Sequence, residues 1–117
     1  MSQSGTCIVG KCVPCRGEEA PYTPEQVVPL LAEIPEWKCD GGTVSIRREV
    51  RCRNYSHAMD ILNKVAVIAE REAHHPDHSL TKYRVLTFTL TTHASHGLTM
   101  NDFVMAKLID QAIAETL

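Results

Sequence analysis

The sequence predicts an α+β fold in which an antiparallel sheet carries helices on one face. Three observations lead there. Residues 56–73 place Ala58, Ile61, Leu62, Val65, Ile68 and Ala69 at intervals of three and four, the apolar stripe of a long amphipathic helix. Residues 83–92 alternate Leu86, Phe88 and Leu90 with Thr87, Thr89 and Thr91, the two-residue period of a strand with one buried face. Gly41-Gly42 divides two short β-prone runs, as a tight hairpin turn would.

In chain order, residues 1–20 show no hydrophobic period and read as an irregular, cysteine-bearing leader to a domain over 21–117. Thr23 can cap a helix whose first position is Pro24, with Val27, Val28, Leu30, Leu31 and Ile34 as its apolar residues. Pro29 and Pro35 keep that helix short. A first strand over 37–40 precedes the glycine pair, and a second runs from Thr43 through Val50 and Cys52. Pro76 stops the long helix. Thr99 caps the last one, with Asp102 at the third helical position where its carboxylate can answer the cap, and Leu98 and Phe103 placed as a staple. Phe103, Ala106, Leu108, Ile109 and Ala112 supply its core face.

The 117 residues suit one domain, and 44% apolar with 22% charged content is ordinary for a globular chain. A net charge of -2 gives no electrostatic footprint for nucleic acid or an anionic membrane. No apolar run approaches the roughly 20 residues of a membrane span. The N-terminus lacks the pattern of a secretory signal. Five cysteines, three of them Cys7, Cys12 and Cys15, read as reduced thiols rather than a disulfide framework, and the expected setting is cytoplasmic or organellar.

The chemistry concentrates between Glu70 and His93. Glu70 and His74 stand four apart near the end of the long helix, so a carboxylate is expected beside the imidazole to fix its tautomer. His75 belongs to the turn imposed by Pro76, so its ring should point differently from that of His74. His93 follows the threonine-rich strand. A helix end and a strand end can thus gather three imidazoles suited to proton transfer near neutral pH. His57 and His96 read as surface or packing residues. Metal binding through His74, His75, His78, His93 and His96 is the rival reading, but adjacent His74 and His75 converge poorly and no helical His-x-x-x-His occurs. Cys12-Val13-Pro14-Cys15 is a weak redox or zinc signal without a second such pair. Trp37, the single tryptophan, suits either the first strand's core face or the wall of a site for a flat heterocycle.

Glu70, His74-His75-Pro76-Asp77, Tyr83, Thr92-His93 and Asp102 resemble, spacing for spacing, the motif of the pterin-4a-carbinolamine dehydratases. Trp37, the Tyr55/Ala58 start of the long helix and Gly97-Leu98-Thr99 extend the likeness over about residues 23–113. His78 departs from it, since many members have tryptophan or another bulky apolar residue there, and the Pro76–Tyr83 interval is the longer of the family's spacings. The resemblance implies a four-stranded antiparallel sheet with three helices on one face, assembled as a homodimer or homotetramer. It implies dehydration of 4a-hydroxytetrahydropterin to quinonoid dihydropterin in tetrahydrobiopterin recycling, with no metal or cofactor beyond the pterin substrate. By the same resemblance His74 and His93 form the acid–base pair, His75 holds the substrate or its leaving oxygen, and Glu70 orients His74. Ala73, Thr91, Thr92 and Ala94 line the pterin, and Trp37, Asp77 and Asp102 complete the binding set. The alternative on the same scaffold is a non-catalytic protein partner, a transcriptional coactivator or an assembly chaperone. The joint presence of Glu70, His74, His75 and His93 favours catalysis.

Overall fold

The computed structural model describes Ile8, Cys12, residues 20–40 and residues 42–116. The first helix, α1 (Pro24–Leu31), starts where the sequence places it. Gln26 Oε1 accepts the Thr23 N–H at 2.8 Å while the Thr23 hydroxyl accepts the Gln26 N–H at 3.3 Å, a reciprocal cap. The helix ends before Pro35, and successive tight turns carry the chain to Trp37 through Glu33 N–H to Leu30 O and Ile34 N–H to Leu31 O.

Strands β1 (Lys38–Cys39) and β2 (Ile46–Arg51) pair antiparallel with Cys39 opposite Ile46. The hairpin is wider than a two-glycine turn. Asp40 N–H donates to Ser45 O at 3.0 Å, and Gly42 and Thr43 both hold positive φ, at 103° and 53°. Regular pairing therefore starts at Ile46 rather than at Thr43, and Gly41 lies outside the described residues.

Helix α2 (Tyr55–Glu72) opens on Asn54, whose side chain accepts the His57 N–H at 2.8 Å. Ala58, Ile61, Val65 and Ala69 are buried, so the stripe faces the core as its spacing requires. His57 is also buried, with Nδ1 accepting the Arg53 N–H at 3.0 Å.

The region following Pro76 departs from expectation. Residues 77–90 form two strands, β3 (Asp77–Thr81) and β4 (Val85–Leu90), joined by a three-residue turn over 82–84. Tyr83 sits in that turn, not in a strand. Lys82 and Tyr83 both have positive φ, 49° and 57°, and Arg84 N–H closes onto Thr81 O at 3.2 Å. This is the hairpin geometry that suits a right-handed strand twist but favours Asn and Gly. Lys82→Asn is expected to stabilise the fold by about 0.5–1 kcal/mol, read as a rise of a few degrees in melting temperature; no rise would show that Lys82 sits in this turn without strain.

Strand β4 lies between β2 and β3, giving the order β1-β2-β4-β3. Leu86, Phe88 and Leu90 are fully buried, while Thr87 and Thr89 face the other side of the sheet. Helix α3 (Met100–Glu115) buries Phe103, Met105, Ala106, Ile109 and Ala112 within the same core. Three helices on one face of a four-stranded antiparallel sheet is the architecture expected. Among the described residues no helix is long and apolar enough to cross a membrane.

Candidate functional site

The end of α2 decides where the histidines go. Ala73 adopts a left-handed conformation, φ 56°, and the His74 N–H closes onto Ala69 O at 3.3 Å. That conformation costs a non-glycine residue about 1–2 kcal/mol and turns the chain out of the helix. His74 therefore leaves the helical face on which Glu70 sits, and the expected Glu70–His74 pair does not form. His74 Nε2 lies 2.8 Å from Asp102 Oδ1 of α3, and Glu70 Oε2 instead meets His75 Nε2 at 2.6 Å. The two rings do point apart, as the proline turn requires.

The two pairs differ in environment. Only 11% of the His74 side chain and none of Asp102 is exposed, against 60% of His75 and 78% of Glu70. Asp102 is held from several sides at once. Its Oδ2 accepts the Thr92 hydroxyl at 2.8 Å and the Thr99 N–H at 3.0 Å. The Thr92 hydroxyl has one proton and gives it to Asp102, so the Thr99 hydroxyl, 2.9 Å away, donates to Thr92. The carboxylate that caps α3 thus also accepts Nε2–H of His74, which fixes the tautomer and leaves Nδ1 for the site. A buried carboxylate with this many donors is stable where an unpaired one would not be. The exposed Glu70–His75 pair contributes little to stability.

His93 comes from a separate device. Thr92 and Gly97 exchange two backbone hydrogen bonds, 3.0 and 3.3 Å, closing a small loop around the single 3-10 turn His93–Ser95. A β-carbon at Gly97 would lie 2.7 Å from Pro21 Cβ, so only glycine lets the loop pack there. The loop presents His93 at the surface beside the end of β4.

These elements enclose a cleft of about 490 Å³, within the range of small-molecule sites. Ala73, His74, His75, Thr91, Thr92, His93 and Ala94 line it. Four expected site residues do not. Trp37 precedes β1, is buried in the core and donates its Nε1–H to Asp110 Oδ1 of α3 at 2.8 Å, so its ring is taken up by the packing under α3 rather than by the cleft. Asp77 pairs with Thr89 in the sheet and shares its outward face. Asp102 reaches the cleft only through His74, and Glu70 only through His75. His78 borders a different groove along α2, with Met59, Leu62 and Pro76.

Three further lining residues, Cys12, Glu72 and Asn101, carry no sequence signal for the site. The Cys12 N–H donates to Glu72 Oε1 at 2.8 Å, and its thiol donates to Asn101 O at 3.6 Å. Burial, with Glu72 and Asp102 close by, pushes the Cys12 thiol up to about 12. Cys12 is thus a protonated, unreactive thiol at neutral pH. Cys7 and Cys15 lie outside the described residues. Among the described residues no three His, Cys, Asp or Glu side chains converge as a metal ligand set.

Comparison with known proteins agrees with the architecture. The family described as pterin 4 alpha carbinolamine dehydratase matches residues 20–112. A Halorhodospira halophila protein provisionally named pterin-4-alpha-carbinolamine dehydratase is 38% identical over 99 residues, covering 85% of this chain and 90% of that protein. The mitochondrial pterin-4-alpha-carbinolamine dehydratase 2 of Arabidopsis thaliana is 36% identical over 110 residues, 92% of this chain and 59% of that protein. The crystal structure of a transcriptional coactivator/pterin dehydratase from Brucella melitensis superposes with a TM-score of 0.75 at 26% identity, over 80% of this chain and 98% of that one. With the fold, the match over residues 20–112 and these relatives in agreement, the chain belongs to the pterin-4-alpha-carbinolamine dehydratase family.

Proposed function

We propose that this chain catalyses the dehydration of 4a-hydroxytetrahydropterin to quinonoid dihydropterin, as a step in tetrahydrobiopterin recycling. The observation that carries the reading is the cleft in which His74, backed by buried Asp102, and His93 stand on different elements. The reaction breaks the C4a–O bond, removes the proton from the adjacent ring nitrogen and releases water. No electrons leave the substrate. One imidazole gives a proton to the departing hydroxyl and another accepts the nitrogen's proton, and solvent exchange restores both.

In this reading His74 and His93 are the acid–base pair, and His75, backed by Glu70, steadies the substrate or its leaving oxygen. Asp102 takes the orienting role that helical spacing suggests for Glu70. The chemistry asks for no metal or further cofactor, since proton transfer alone completes it. The working unit proposed is a homodimer or homotetramer, in a cytoplasmic or organellar setting.

The test is the ultraviolet decay of freshly generated 4a-hydroxytetrahydropterin with and without the full chain. Decay faster than buffer is expected. A rate equal to buffer would remove the enzyme reading and favour a protein-partner role on the same scaffold.

A further inference from the structure

We propose that Glu72 is a latch that holds the chain at Cys12 across one side of the histidine cleft, making Cys12 part of the wall that grips the substrate. The identity of that substrate rests on the dehydratase reading; the latch itself does not. Three observations carry the inference. Cys12 and Glu72 both line the cleft that holds His74, His75 and His93. Cys12 is tied to the two helices that frame that cleft, by its N–H to Glu72 Oε1 on the last turn of α2 and by its thiol to Asn101 O on the first turn of α3. Ile8 packs on the core nearby, bordering a recess with Val104, Lys107 and Leu108 of α3, so the attachment does not depend on one contact.

The Glu72 side chain is only 9% exposed, and a carboxylate so far out of water needs donors. The Cys12 N–H is one and Arg71 Nε, at 3.0 Å, is another. Neither Glu72 nor Cys12 is placed as the reacting acid or base. A neutral, polarisable thiol against a flat heterocycle favours binding rather than proton transfer. Glu72 is therefore a positioning residue whose effect belongs in KM rather than kcat.

The experiment compares wild type, Glu72→Ala, Glu72→Gln and Cys12→Trp in the full chain, each first checked by thermal melting. KM and kcat for the dehydration are measured alongside the rate of Cys12 alkylation by iodoacetamide at pH 8, followed on the peptide by mass. Glu72→Ala is expected to raise KM roughly tenfold with kcat within about twofold, and to expose Cys12 to alkylation. Glu72→Gln keeps an acceptor oxygen for the Cys12 N–H and should restore most of both. Cys12→Trp, which adds bulk to the same wall, should raise KM even if Glu72→Ala does not fold. Unchanged KM in Cys12→Trp overturns the wall. A fall in kcat at constant KM in Glu72→Ala overturns the latch and moves Glu72 into the chemistry. If the wild type shows no turnover, the function reading fails and alkylation alone decides: faster labelling in Glu72→Ala than in wild type and Glu72→Gln upholds the latch, and equal labelling refutes it.

Discussion

His74→Ala is expected to lose roughly a hundred- to ten-thousand-fold in kcat while the chain still folds. The ring stands in the cleft outside α2, so its removal leaves the packing of Ala69, Val65 and Phe103 in place, and Asp102 loses one donor but keeps the Thr92 hydroxyl and the Thr99 N–H. His93→Ala should show a loss of similar order, because the loop closed by Thr92 and Gly97 does not depend on the imidazole. Wild-type turnover in both single variants would remove the acid–base assignment. The pairing seen here adds a sharper test. Glu70→Gln should change the rate only through His75, which it contacts, so its effect should vanish in a His75→Ala background and persist in a His74→Ala background. The opposite pattern would restore the helical Glu70–His74 pair.

Asp102→Ala is expected to destabilise the chain by about 3 kcal/mol as well as slow it, because three donors lose one buried acceptor group. The sequence alone suggests about 1 kcal/mol, the worth of a helix-capping carboxylate. The difference comes from what the cap also holds: Nε2 of His74 and the Thr92 hydroxyl, besides the Thr99 N–H. A fall of about 10 °C in melting temperature is the measurable form of that loss. Asp102→Asn separates the two roles. Its volume is unchanged, but an amide presents one acceptor and one donor where the site requires acceptance on both oxygens. Either the Thr99 N–H or the His74 Nε2–H meets a donor, and the imidazole is pushed toward the other tautomer. Loss of rate larger than loss of stability is expected. An Asp102→Asn chain that melts and turns over like wild type would show that the buried carboxylate does not orient His74.

Much of the architecture was legible because it rests on periodic burial. The α2 stripe, the β4 alternation and the Thr99–Asp102 cap each follow from local spacing, and the structure keeps them. Strand β3 was not legible as a separate strand, since among its five residues only Leu80 is even half-buried and no alternation marks an exposed edge. It is a strand because β4 offers it a hydrogen-bonding partner. Tyr83 likewise looked like strand sequence, while the connection between β3 and β4 required a turn at its position.

The sequence by itself determined which chemical groups the site would have: imidazoles and carboxylates confined to a helix end and a strand end. Only the tertiary structure decided their partners. Helical spacing put Glu70 beside His74, but one left-handed residue at Ala73 swings His74 toward Asp102, 28 residues on, and leaves Glu70 to His75. Trp37 and Asp77 suited the cleft as residue types, yet the fold packs Trp37 into the core against Asp110 of α3, and pairing with Thr89 puts Asp77 on the outward face of the sheet. Cys12 meets Glu72 across 60 residues. A contact between segments so far apart in the chain has no local period to announce it, and it exists only because the folded core brings the ends of α2 and α3 together.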